Sequence, residues 1–158
     1  MRDTGRRARP TGWQRAAFRL PIRLYRWRLG WLLGERFVLL RHRGRVSGAE
    51  RQVVLEVVEH DRASGTVTVA SGFGPRADWY RNVLAEPRVA IQVGRQRWVA
   101  TAVPCTTDEG GDLMARYAPA HPRAARQLCG FMGFQVDGSI EDYREVGRRI
   151  PFIRLMPR

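Results

Sequence analysis

From Phe37 onward, short apolar runs alternate with turn-forming residues. Their spacing predicts strands over Phe37 to His42, Gln52 to His60, Thr66 to Ser71, Val89 to Val93, Trp98 to Val103 and Ile150 to Met156. Val89-Ala90-Ile91-Gln92-Val93 alternates cleanly, as a strand with one buried face does, whereas Val53 to Val58 is nearly all apolar and reads as covered on both faces. Gly94-Arg95-Gln96 predicts a tight hairpin between two of these strands. Thr107, with Glu109 and Asp112 close behind, opens a helix to about Tyr117; a second helix runs from Pro122 through Gly130 and a third from Ile140 to Gly147. Strands dominate the middle and helices flank them, which is an α+β arrangement.

The N-terminal third follows a different pattern. Gly12 to Leu33 reads as one helix or two, with Pro21 as a start or kink. Arg15, Arg19, Arg23 and Arg26 share one face, while Trp13, Phe18, Leu24, Tyr25, Trp27, Trp31 and Leu32 supply apolar bulk. Arginines interrupt the segment too often for a transmembrane span. Two readings stand side by side: the helix packs on the sheet with its arginines in solvent, or it lies on an anionic membrane. Residues 1–11, which include Arg2, Arg6, Arg7 and Arg9, are expected to be disordered, and residues 12–158 to form one domain with helix 12–33 as part of it. The absence of an apolar signal core leads to the expectation of a cytoplasmic protein, peripheral on the inner face of the membrane if the helix meets lipid.

Charge sharpens this picture. The chain of 158 residues carries 28 basic side chains against 15 acidic ones, a formal charge of +13, and every basic residue is arginine. A coding bias accounts for arginine in place of lysine but not for the excess, which favours an acidic ligand, anionic lipid or nucleic acid. Nucleic acid is not expected, because the aromatic residues fall within helix patterns and not on a stacking platform. Cys105 and Cys129 are isolated, and with His42, His60 and His121 they form no metal-ligand spacing, so no metal is expected. No Gly-x-Ser-x-Gly elbow, phosphate-binding P-loop, paired-carboxylate signal or nicotinamide fingerprint is present.

Two segments carry candidate chemistry. Gly44-Arg45-Val46-Ser47-Gly48-Ala49-Glu50-Arg51 joins the first two strands. Its glycines permit a tight bend, and Arg45, Ser47 and Arg51 bring donors suited to an anion such as a phosphate. A plain surface hairpin would use the same residue types. The second segment, Val69-Ala70-Ser71-Gly72-Phe73-Gly74-Pro75-Arg76-Ala77-Asp78-Trp79-Tyr80-Arg81-Asn82, takes a strand through a small-residue loop into a short helix. A flat ring could lie against Ala70, Ser71 and Gly72, with Trp79 and Tyr80 either walling it or filling the core. Asn82 is the single asparagine of the chain, which points to a specific hydrogen bond.

In this order and spacing, with Val89 following Pro87, the chain resembles the deazaflavin-dependent nitroreductase and quinone reductase family, whose members bind coenzyme F420. The resemblance runs from about Leu20 to the C-terminus and is densest between Phe37 and Val103. It implies a split β-barrel of about six strands with an N-terminal helix and flanking helices. It also implies hydride transfer from reduced F420 to a small hydrophobic acceptor of quinone, enone or nitro type. On this resemblance Arg45, Val46, Ser47, Gly48 and Arg51 hold the phosphate and tail. Ala70, Ser71 and Gly72 lie under the ring with Trp79, Tyr80 and Asn82 behind, and Arg76 reaches the acidic end. Tyr117 is the first candidate proton donor, with a core-packing role as its alternative, and Ser71 the second. Three departures from the family pattern stand out: Val46 replaces a frequent basic residue, Ala77 a proline, and the loop before Trp79 lacks a lysine found in some members. An FMN-dependent reductase, or a non-catalytic barrel binding an acidic or lipid-like ligand, remains as the alternative, and the oligomeric state stays open.

Overall fold

The computed structural model describes residues 36–158 apart from Phe73, together with residues 2 and 3. The expected helix 12–33 and most of the basic N-terminus lie outside the described residues. Six strands close an antiparallel barrel: β1 (Phe37–Arg43), β2 (Glu50–Asp61), β3 (Thr66–Ala70), β4 (Arg88–Val93), β5 (Gln96–Pro104) and β6 (Phe152–Pro157). Around the barrel the order is β1, β2, β3, β6, β5, β4, so the last strand in sequence inserts between β3 and β5. Four helices accompany it among the described residues: α1 (Asp78–Ala85), α2 (Thr107–Ala120), α3 (Pro122–Phe131) and α4 (Ile140–Arg149). Arg2–Asp3 adds a short antiparallel ladder to Phe134–Gln135.

Alternation decides which side chains enter the barrel. Val38 and Leu40, Val67 and Val69, Val89, Ile91 and Val93, Ala100 and Ala102, and Ile153 and Leu155 form the interior, with Trp79 and Val83 of α1 packed among them. The long strand β2 serves two partners, pairing with β1 through Glu50 to Glu56 and with β3 from Val57 to Asp61, with a register irregularity between Val57 and Glu59. Its apolar run is covered from both sides, since Val53, Leu55 and Val57 pack on the barrel interior and Val58 on a second cluster. That second cluster joins Leu113, Met114 and Tyr117 of α2, Ala125 and Cys129 of α3, and Tyr143 and Val146 of α4 outside the barrel.

Local signals set the element ends. The β4–β5 hairpin pairs Val93 with Gln96 across Gly94-Arg95, and Gly94 takes the positive φ of 58° that a two-residue turn requires. Helix α2 begins at Thr107, as expected, and Thr106 caps it: Thr106 Oγ1 accepts from the Glu109 amide at 3.2 Å and donates to Glu109 Oε1 at 3.2 Å. This reciprocal cap satisfies a first-turn amide. Ser139 caps α4 likewise, accepting from the Asp142 amide at 3.2 Å.

Candidate active site

The β1–β2 turn closes on itself through backbone bonds from Gly44 N to Ala49 O at 2.9 Å and from Gly48 N to Gly44 O at 2.8 Å. Gly48 holds φ at 70°, and Ser47 Oγ accepts from the Ala49 amide at 3.2 Å. Gly44 lies under two side chains: a Cβ there would stand 2.7 Å from Ser47 Oγ and 3.3 Å from Arg51 Nε, so the hydroxyl would have to turn aside. The hydroxyl and the guanidinium therefore converge on the glycine. Val46 forms the tip, 93 % exposed. The Val46 and Ser47 amides donate to no acceptor among the described residues, and neither Arg43 nor Arg51 has a carboxylate partner there.

A buried network ties this turn to α1. Asn82 is 2 % exposed, and its Oδ1 accepts from the Arg45 amide at 3.1 Å and from Arg45 Nη1 at 2.8 Å. Both Arg45 groups can only donate, so they fix the amide orientation and direct Nδ2 at His42 Nδ1, 3.2 Å away. His42 Nδ1 is then an acceptor, and the imidazole is neutral. Burial lowers the His42 pKa, Arg51 pushes the same way and Asp78 opposes. The rest of the Arg45 guanidinium meets Asp78 at 3.4 Å. Asn82→Ala would leave the buried His42 Nδ1 and the Arg45 amide without partners, and we expect it to cost about 2 kcal/mol. Urea denaturation measures this, and an unchanged midpoint would remove the network from any structural role.

The loop after β3 is shaped by Ser71. Its side chain is fully buried, and its hydroxyl donates to the Gly74 carbonyl at 2.6 Å, while its amide donates to Pro151 O at 2.8 Å. The second candidate proton donor thus has its proton committed to the backbone. Ala70 is half-buried, and among the described residues a Cβ on Gly72 would find only Phe131, at 3.8 Å. Trp79 lies in the barrel core with Tyr80 edge-on at 5.9 Å between ring centroids. Arg76 is exposed and carries no ion pair among the described residues.

Tyr117 sits elsewhere, on the outer face of β2. Its ring is buried, and its hydroxyl donates to Glu56 Oε1 at 3.2 Å. Burial raises its pKa, and the Glu56 carboxylate adds to the effect. Glu56 pairs with Phe37 at the far end of the hairpin from Arg43 and Glu50, about 20 Å from the turn at the usual strand rise. Its neighbour Val57 pairs with Val69, one residue before Ala70, so Tyr117 belongs to the Ala70 side. A cavity of about 450 Å³ lies there, lined by Arg36, Glu56, Tyr117, His121 and Arg123 among others.

The structure therefore brings Arg45, Ser47, Arg51 and Asn82 together in one unit, and Ala70, Ser71 and Gly72 in another. Helix α1 links the two. His42 and Glu56 were missed from sequence, although signals for both were present. His42 continues the inward-facing series of Val38 and Leu40, and Glu56 is the lone carboxylate within the apolar run Val53 to Val58. Among the described residues, no helix is long and apolar enough to cross a membrane, and no cluster of three or more His, Cys, Asp or Glu side chains could hold a metal.

Comparison with known proteins agrees with this fold. A putative F420H(2)-dependent quinone reductase of Mycobacterium tuberculosis is 33% identical over 86 residues, covering 53% of this chain and 71% of the relative. A solved F420-H2 dependent reductase, FDR-A, superposes with a TM-score of 0.53 at 24% identity, over 77% of this chain and 95% of its own. A pyridoxamine 5'-phosphate oxidase-related, FMN binding protein of Nostoc punctiforme shares the fold at a TM-score of 0.50 and 15% identity, over 93% of this chain and 81% of its own. The profile of one family, F420H(2)-dependent quinone reductase, matches residues 19–129. With that match spanning most of the chain, the protein belongs to the F420H(2)-dependent quinone reductase family and is an F420-dependent oxidoreductase on a six-stranded split barrel.

Proposed function

We propose that the β1–β2 turn holds the phosphate of F420 and that the Ala70 to Gly72 shelf receives its ring, with a quinone-type acceptor entering from the Tyr117 side. One observation carries this reading: Arg51 and Ser47 converge on Gly44 beside two tip amides that have no acceptor among the described residues, where Arg51 also has no carboxylate. A donor set with an unneutralised guanidinium is suited to an anionic oxygen and to little else. Val46 and Gly48 contribute backbone at the tip, and Arg45 stays oriented by Asn82.

When bound, the coenzyme supplies a hydride from C5 of its reduced ring to the acceptor. The chain itself binds, orients and holds a proton. Small side chains at Ala70 and Gly72 leave a surface on which a flat ring can lie, and Ser71 keeps that loop in shape through Gly74. Trp79 and Tyr80, both on α1, pack that helix onto the barrel core. Arg76, without an ion pair among the described residues, is available to an acidic tail. Tyr117 holds its proton on Oη toward Glu56 Oε1, and its raised pKa keeps the phenol protonated through the neutral range. To donate to the oxygen of a reduced acceptor, Tyr117 would exchange its bond to Glu56 for one to that oxygen. The acceptor cavity includes Arg36 and Arg123.

Parallel titration with oxidised F420 and with FMN, read by fluorescence and melting temperature, tests the reading. F420 is expected to bind and to raise the melting temperature by mass action, with FMN without effect. A preference for FMN, or binding of neither, would overturn it.

A further inference from the structure

The proton state of His42 has a consequence that the chemistry of the turn does not require. Asn82 has one amide oxygen and one amide nitrogen to share between two sides. On one side stand the Arg45 amide and guanidinium, both donors, at 3.1 and 2.8 Å. On the other stands His42 Nδ1 at 3.2 Å. The arrangement is satisfied only while Nδ1 carries no proton. If Nδ1 is protonated, it becomes a donor facing the Asn82 NH2 group. Rotating the amide by half a turn would restore that bond, but it would point NH2 at two Arg45 donors. One proton thus forces the buried asparagine to abandon either the histidine or the arginine.

From this juxtaposition we propose that neutral His42 is a positioning residue for the anion-holding turn, acting through Asn82 on Arg45, so that coenzyme affinity falls when His42 takes up a proton. The inference rests on the proposed phosphate site. Among the described residues, the charged groups facing His42 are Arg51, its cross-strand partner on β2, Asp78 on α1, and Arg45 across Asn82. Neighbouring β4 positions Val89 and Ala90 carry no charge. Burial and Arg51 hold the folded-state pKa below the ordinary 6.5, with Asp78 opposing. As pH falls, the unfolded chain therefore binds the proton before the folded one. The network's contribution is complete above about pH 6.5 and is lost as pH drops toward the lowered folded value.

Sign separates this role from simple electrostatics. A proton on His42 adds positive charge near the turn, which by itself would tighten an anion as pH falls. Loss of the Arg45 orientation weakens it. We expect the wild-type Kd for F420 to rise as pH falls below about 6.5 and His42 takes up its proton, by about tenfold once His42 is protonated, the scale of a lost charge-assisted hydrogen bond. His42→Gln, whose amide oxygen can accept from Asn82 at every pH, should show little of this rise. Any titration of the coenzyme itself is common to both proteins and cancels in the comparison. A second arm needs no coenzyme: nitrogen NMR of the histidine rings should find His42 with Nδ1 unprotonated at neutral pH, and the Arg45 amide resonance should move with the same midpoint as His42.

Tighter binding at low pH, the same pH dependence in His42→Gln as in wild type, or a His42 titration that leaves the Arg45 amide unmoved would each overturn the proposal. Failure of the phosphate site itself would look different. Arg51→Ala would then leave F420 affinity intact, while the NMR arm would still report on the coupling of His42 to Arg45.

Discussion

Arg51→Ala is expected to raise the Kd for F420 by roughly 10- to 100-fold, the effect of about 1.5–3 kcal/mol lost with charge-assisted hydrogen bonds. Fold stability should change by no more than about 0.5 kcal/mol, because the side chain is exposed and has no carboxylate partner among the described residues. The physical reason lies in what surrounds the guanidinium. Arg45 is partly neutralised by Asp78 and Arg41 stands 4.0 Å from Glu50, whereas Arg51 keeps its full charge beside Ser47 and Gly44. Wild-type affinity should also weaken with ionic strength, and the variant should show a shallower slope, since one of the screened charges is gone. Fluorescence titration at two salt concentrations measures both. An unchanged Kd would move the phosphate away from this turn.

The largest stability effect is expected at the contact of α2 with α4. These helices approach through Gly110 and Gly111 on one side and Gly147 on the other. A Cβ on Gly147 would collide with the Gly110 carbonyl and stand 2.7 Å from Met114 Cβ and 2.9 Å from Gly111 Cα. The obstacle is mostly backbone, which cannot rotate aside as a long side chain can. Gly147→Ala should therefore destabilise the protein by about 3 kcal/mol, despite the helix propensity of about 1 kcal/mol that alanine adds. The melting temperature should fall by roughly 10 °C at that size. Gly130→Ala is the matched control, since a Cβ there meets nothing within 4 Å among the described residues, and it should stabilise by up to about 1 kcal/mol. If both variants melted alike, the close helix approach would not contribute to stability.

Most of the fold was legible in the chain. The six expected strands and three of the helices lie within a few residues of their observed ends. Their signals are local: alternation in Val89 to Val93, a two-residue turn at Gly94-Arg95, and a threonine three residues before Glu109. The expected start of α2 at Thr107 is the observed one, and the bond from the Glu109 amide identifies Thr106 as its cap. The candidate site divides in the same way. The turn from Gly44 to Arg51 was readable because its glycines, hydroxyl and arginines lie within eight consecutive positions. The partners of Asn82 were not, because Arg45 is 37 residues away and His42 is 40. Tyr117 was named from sequence, yet Glu56, which accepts its proton from 61 residues away, was not.

By itself, then, the sequence determined the elements, the barrel class, the glycine- and arginine-rich turn proposed to hold an anion, and the family, because each depends on residues close together in the chain. The tertiary structure decided which of those residues act together. It inserted the last strand, β6, between β3 and β5, committed the Ser71 hydroxyl to the Gly74 carbonyl, and set Asn82 between a histidine and an arginine. Those outcomes depend on closing the barrel, which brings distant β-strand residues within hydrogen-bond reach, and no local propensity encodes that closure.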